Sequence, residues 1–113
     1  MLNQVILVGR LTKNPEIIET ESGKKMCFIT LAVQRPFKNV DGLYETDFIR
    51  CVLWNIIAET TVQYSKVGDV IGVKGRLQVE SYSDENNNTR YNTEVVAERI
   101  SFIGSGKIIK EEE

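Results

Sequence analysis

The sequence predicts an all-β domain, a small barrel of five strands with one short helix between the third and the fourth. Three observations lead there. Apolar and polar residues alternate with a period of two over five separate stretches, which is how side chains fall on the two faces of a strand. Turn residues punctuate those stretches at Asn14-Pro15, Ser22-Gly23, Asp41-Gly42, Gly68 and the polar run 83–89. A single segment, following Asn55, carries apolar residues at helical spacing instead.

Composition narrows the function before any motif is read. A chain of 113 residues suits one domain with one modest core. It holds no apolar run long enough to span a bilayer and no leader-like start, so a soluble, cytoplasmic protein with no membrane partner is expected. Cys27 and Cys51 fall at apolar strand positions and lack metal-site spacing. Histidine is absent, which removes the commonest general base, the Ser-His and Cys-His pairs and the usual zinc ligand. An enzyme is therefore disfavoured, and neither metal nor cofactor is expected. The net charge is −2, and without residues 107–113 the body still has 12 basic against 13 acidic groups. Any site for an anionic polymer must come from the arrangement of charge.

In chain order, Met1–Leu11 is a first strand with Val5, Leu7, Gly9 and Leu11 on one face and Ile6 and Val8 on the other; two apolar faces predict cover on both sides, the second from a partner subunit. Residues 12–23 read as a loop or irregular hairpin. The second strand, 24–35, alternates Cys27, Ile29, Leu31 and Val33 with Met26, Phe28, Thr30, Ala32 and Gln34, and Pro36 is expected to end it. Residues 36–45 form a polar loop carrying Phe37, Lys38 and Tyr44. The third strand turns Ile49, Cys51 and Leu53 inward and Phe48, Arg50, Val52 and Trp54 outward. Asn55 should cap a helix from Ile56 to about Lys66, with Ile57, Thr61 and Tyr64 on its apolar stripe and Gly68 as the stop. The fourth strand, 70–82, sends Ile71, Val73, Leu77 and Val79 inward and Lys74, Arg76, Gln78 and Tyr82 outward, with Gly72 and Gly75 marking a bulge or bend. A hairpin loop at 83–89 leads to the last strand, 90–103. Residues 1–104 are thus read as the domain and 105–113 as a short disordered tail.

Three strands, a short helix and two more strands give the order of the OB-fold, a Greek-key barrel whose second and third strands form a groove for oligonucleotides or oligosaccharides. Phe48, Arg50 and Trp54 lie where that groove runs. Aromatics interleaved with a guanidinium suit nucleobases and phosphates.

The chain resembles the bacterial single-stranded DNA-binding protein family. The resemblance rests on Asn3-x-Val5-Ile6-Leu7-Val8-Gly9-Arg10-Leu11-Thr12-x-Asn14-Pro15-Glu16, on Ser22-Gly23 followed by Phe28-x-x-Leu31-Ala32-Val33, on Thr46-Asp47-Phe48-x-Arg50-x-Val52-Leu53-Trp54, on Gly68 and Gly75-Arg76-Leu77, and on Arg90-Tyr91-x-Thr93-Glu94-Val95. It implies a homotetramer built partly on the first strand, wrapped by single-stranded DNA without regard to sequence. It also implies base-stacking roles for Phe37, Phe48, Trp54 and Tyr82, of which only Trp54 has the tryptophan that the family often carries at several of these places. Arg10, Arg35, Lys38, Arg50, Lys74 and Arg76 are the candidate phosphate contacts.

Typical members continue into a Gly, Pro and Gln-rich linker with an acidic tip ending in Pro-Phe, the docking site for repair enzymes. This sequence stops at Glu111-Glu112-Glu113, so recruitment through the tail is expected to be absent. In this the chain is similar to short paralogues that coat incoming DNA during competence; a truncated or phage form would have the same length. The rivals are an OB-fold protein-interaction module of the replication machinery and a nuclease holding magnesium on Glu45 and Asp47 or on Glu94 and Glu98.

Overall fold

The computed structural model describes residues 1–105. Its elements run β1 (Val5–Leu11), β2 (Ile18–Glu19), β3 (Lys25–Lys38), β4 (Tyr44–Trp54), α1 (Asn55–Tyr64), β5 (Val70–Ser83) and β6 (Thr89–Gly104). The strands form one sheet in the order β1-β5-β6-β4-β3-β2, which the additional β1–β3 pairing closes into a barrel. All pairings are antiparallel except β4 with β6. The expected five-stranded barrel is present, its helix between β4 and β5, the third and fourth long strands. The short β2, paired with β3 at Ile18↔Met26, is the ordered part of the segment expected as a loop.

Closure rests on two residue pairs, Arg10↔Ala32 and Leu11↔Leu31, after β1 has paired with β5 from Val5 to Arg10. Gly9 sits just before Arg10, where β1, still paired with β5, also meets β3. A Cβ there would lie 2.8 Å from the Ala32 carbonyl oxygen and 2.9 Å from Val33 Cγ2, so the close approach of β1 to β3 needs glycine. Gly75, whose Cβ would collide with the Val96 carbonyl, plays the same part where the β5–β6 register shifts between Lys74 and Gly75. Inside the barrel, Leu11, Cys27, Ile29, Leu31, Cys51, Leu53, Ile71, Val73, Val95 and Ala97 form one cluster, which Ala58 of α1 joins. Burial pushes the Cys51 thiol up to about 11, so this cysteine behaves as a small hydrophobe.

Four expectations require correction. Pro36 does not end the second long strand: β3 runs on to Lys38, and a register shift between Gln34 and Lys38 accommodates a residue without an N–H. Asn55 does not cap α1, whose N-cap is Trp54 with no side-chain cap bond. Instead Asn55 is the first helical residue, with φ of +55°, a left-handed conformation that asparagine tolerates and that lets strand pass to helix without a loop. The helix stops at Tyr64, and Tyr64 is exposed, so the buried stripe is Ile57, Ala58, Thr61 and Val62. Leu77 and Val79 have inward parity but are exposed: Leu77 stands at the rim, opposite Val95, the outermost β6 residue that pairs with β4, and from Val79 onward β5 and β6 run as a two-stranded arm clear of the barrel. The tail expectation falls, apart from Ser105, outside the described residues.

Substituting Gly9 by alanine should lower stability by about 1–3 kcal/mol, the range for overpacking. A fall in the urea midpoint with an unchanged m-value is the expected reading.

Candidate nucleic-acid interface

The register of the sheet sorts the site residues. Paired residues in adjacent strands project to the same face, so Phe28, Val52, Val96 and Arg76 form one row across β3, β4, β6 and β5 on the outside of the barrel. One step along, Thr30 pairs with Arg50; a further step brings Arg10, Ala32 and Phe48 into line, with the small alanine between cation and ring. At the other end Met26 faces Trp54. The outer face therefore gathers Arg10, Phe48, Arg50, Trp54 and Arg76. Phe48 is 68 % exposed and Trp54 half-buried, while Val52 in the centre is 2 % exposed.

Two arms extend this face. Tyr82 shares the parity of Arg76 on β5 and pairs with Arg90 on the β5–β6 arm, exposed. The turn of that arm is held by Asp84, whose carboxylate accepts from Arg90 Nε at 2.9 Å and from the Asn86 and Asn88 amides at 2.9 Å each; the arginine holds that carboxyl below its ordinary range. On the β3–β4 arm Phe37 is exposed, and Lys38 Nζ lies 5.7 Å from the Tyr44 ring centroid. Asn39 Oδ1 accepts from the Asp41 and Leu43 amides and shapes the turn.

The remaining cations are placed differently. Arg35 follows Val33 on the opposite parity and is gripped by two carboxylates, Glu45 at 2.6 Å and Asp47 at 3.0 Å. That guanidinium holds the Asp47 carboxyl below its ordinary value. It also occupies both groups of the imagined Glu45–Asp47 magnesium site, and no cluster of three or more metal-ligating side chains occurs among the described residues. Lys74 pairs with Ile6 and Arg99, on the outer side of β1 and away from the aromatics. Arg76 donates to Gln78 Oε1 at 2.9 Å and lies 3.8 Å from Glu98. Arg10 donates to the Gly68 carbonyl at 2.9 Å.

Sequence reasoning missed Phe28. The Arg50 guanidinium carbon lies 3.9 Å from its ring centroid, and the two residues border a cavity with Lys13, Glu16, Ile18 and Thr30. Alternation had already put Phe28 on the outward side of β3; only the register shows that Arg50 sits diagonally beside it. The β1–β2 loop that completes the cavity is fixed. Thr12 donates to the Thr30 carbonyl through both N–H and Oγ1, the Val67 amide donates to Asn14 Oδ1 at 2.8 Å, and Pro15 is buried.

A closed Greek-key barrel with aromatics and cations on the outer face of two adjoining strands defines an OB-fold binding protein. The model of the single-strand binding protein family matches residues 2–103, and the chain belongs to that family, whose members are binding proteins and not enzymes. It is 46 % identical over 103 residues to single-stranded DNA-binding protein B of Bacillus subtilis, covering 91 % of each chain. Against single-stranded DNA-binding protein 1 of Clostridium acetobutylicum the identity is 43 % over 107 residues, covering 94 % of this chain and 97 % of the relative. Single-stranded DNA-binding protein 3 of Listeria innocua is 47 % identical over 105 residues, which are 93 % of this chain but 66 % of that one.

The Arg35–Asp47 pair makes a pH prediction. A carboxyl depressed in the folded state contributes stability in full above its unfolded pKa of about 3.9 and loses it as pH falls through the folded value. Asp47→Asn should therefore lower Tm most at neutral pH, where the Arg35 pair is intact, and flatten the acid decline so that variant and wild type converge below about pH 4, read from thermal melts between about pH 7 and about pH 2.

Proposed function

We propose that the protein coats single-stranded DNA without regard to sequence, using its one domain, residues 1–104. Bases stack on Phe48 and Trp54 along β4 and on Phe37 and Tyr82 on the arms, while Arg10, Lys38, Arg50 and Arg76 meet the backbone. Lys74 serves from the side of the barrel, and Arg35 acts mainly as the brace of its hairpin. The observation that carries the reading is the row structure of the outer face, where unpaired rings alternate with cations. Duplex DNA is rejected because its bases are already stacked on one another. The names of the relatives support DNA as the polymer. Uptake of transforming DNA stands first among the transactions, ahead of replication, recombination and repair, and the setting is intracellular.

A homotetramer fits this reading. Ile6 and Val8 project from β1 at 69 % and 53 % exposure, bordering an apolar groove of about 300 Å3 that Gly72 and Ile103 help to line. An apolar strip of this kind on a closed barrel asks for cover, and a second copy supplies it symmetrically.

Titration with oligo(dT) should quench Trp54 fluorescence, with a salt slope of about −0.7 per neutralised phosphate and no response to duplex. The Phe48→Ala, Trp54→Ala double variant, followed by polarisation of a labelled oligonucleotide, should bind at least about tenfold more weakly, since each stacked base is worth about 1–3 kcal/mol. Unchanged affinity would remove the site. In sedimentation velocity the wild type should run as a tetramer, and Ile6→Asp with Val8→Asp as a smaller species; a wild-type monomer would overturn the assembly.

A further inference from the structure

A cavity of about 440 Å3 lies on the outer face beside Arg50, within the range of about 300–1,000 Å3 usual for small-molecule clefts. Its lining is chemically mixed. Phe28, Thr30 and Arg50 come from the sheet, Ile18 from β2, and Lys13 and Glu16 from the β1–β2 loop. A trough made only for phosphates would gain nothing from a carboxylate, which repels them. Glu16, an exposed carboxylate in this lining, offers acceptors to a ligand that donates hydrogen bonds.

Arg50 is equally informative. Resting 3.9 Å from the Phe28 ring centroid, its guanidinium is held as a planar cation, and such a plane can carry a base on its free side. Among the described residues neither Lys13 nor Glu16 has an ion-pair partner. The pinned loop that bears them needs little ordering on binding, which lowers the entropic cost of using them.

We propose that this cavity is a single-nucleotide subsite that favours guanine, laid over the general single-stranded DNA binding on which it depends. The base lies against Arg50 with Ile18 at its side, Lys13 takes the neighbouring phosphate, and the Watson–Crick edge turns to Glu16. Guanine alone among the four bases offers two adjacent donors there, N1–H and the 2-amino group, to the two oxygens of a carboxylate. Adenine and cytosine set a lone pair beside their amino group, and thymine sets its single N3–H between two carbonyls. Those edges meet the carboxylate with repulsion.

The test is a competition titration of the full chain with oligo(dT) in which one central residue is dT, dA or dG. For the wild type, the dG oligonucleotide should bind about fivefold or more tightly than either other, the lower end of what a bidentate base contact provides. The dA arm separates edge recognition from the better stacking of any purine. In Glu16→Ala the dG-to-dA ratio should fall to about one. A wild-type ratio of one, or a preference that survives in Glu16→Ala, overturns the subsite while Trp54 quenching by oligo(dT) leaves the general function standing. Loss of response to all three oligonucleotides by the wild type would overturn both.

Discussion

The two-pair ladder between β1 and β3 is the constraint on which the rest depends. It closes the barrel, and it can form only because Gly9 allows the Ala32 carbonyl and the Val33 side chain to come within 3 Å of where a Cβ would stand. Once closed, the sheet has a definite inside and outside, and the register does the remaining work. Leu11, Leu31 and Ile49 fall in one inward row, and Arg10, Ala32 and Phe48 in the adjacent outward row. A slip of one residue in β3 against β4 would exchange these sets and bury the cations. Core packing therefore fixes the outer face as firmly as it fixes the interior.

That coupling accounts for how a chain of net charge −2 can present itself to a polyanion. The carboxylates are not spread evenly against the cations. Glu45 and Asp47 are engaged by Arg35 on the opposite parity of the β3–β4 arm, Asp84 is spent on its own turn and on Arg90, and Glu59 is paired with Lys25. What remains along β4 is Phe48, Arg50, Val52 and Trp54 in alternation, with Arg10 and Arg76 at its flanks. Carboxylates remain in the cationic region as well: Glu98, 3.8 Å from Arg76, and Glu16, which has no ion-pair partner among the described residues, at the cavity beside Arg50.

β1 serves two surfaces at once. Its outward residues Ile6 and Val8 belong to an apolar strip beside Lys74, Arg99 and Ile103, whereas Arg10, one alternation further, belongs with Phe48. Gly9 separates them, since beyond it β1, still paired with β5, also takes β3 as a neighbour. The self-association and DNA binding proposed above therefore call on different side chains of one strand. The Asn3 side chain extends the β5 edge of the strip by bonding both backbone groups of Leu77, accepting from its N–H at 2.9 Å and donating to its carbonyl at 2.8 Å.

Alternation with a period of two, the turn residues and the lone helical segment determined the strand count, the helix position, the inward set from Cys27 to Val73 and the outward set on β4, because side-chain parity is a local property of an extended backbone. The same local reasoning misread Pro36, Asn55, Leu77 and Val79. In each case the outcome depends on what lies opposite: a bulge that absorbs a missing N–H, a left-handed residue that joins strand to helix, an arm that leaves the barrel. Tertiary structure alone decided which cations stand together. Arg35 and Arg50 look alike in sequence, yet cross-strand register delivers one to two carboxylates and the other to the Phe28 ring, since the partner of a strand residue is chosen by the neighbouring strand and not by the residues before and after it.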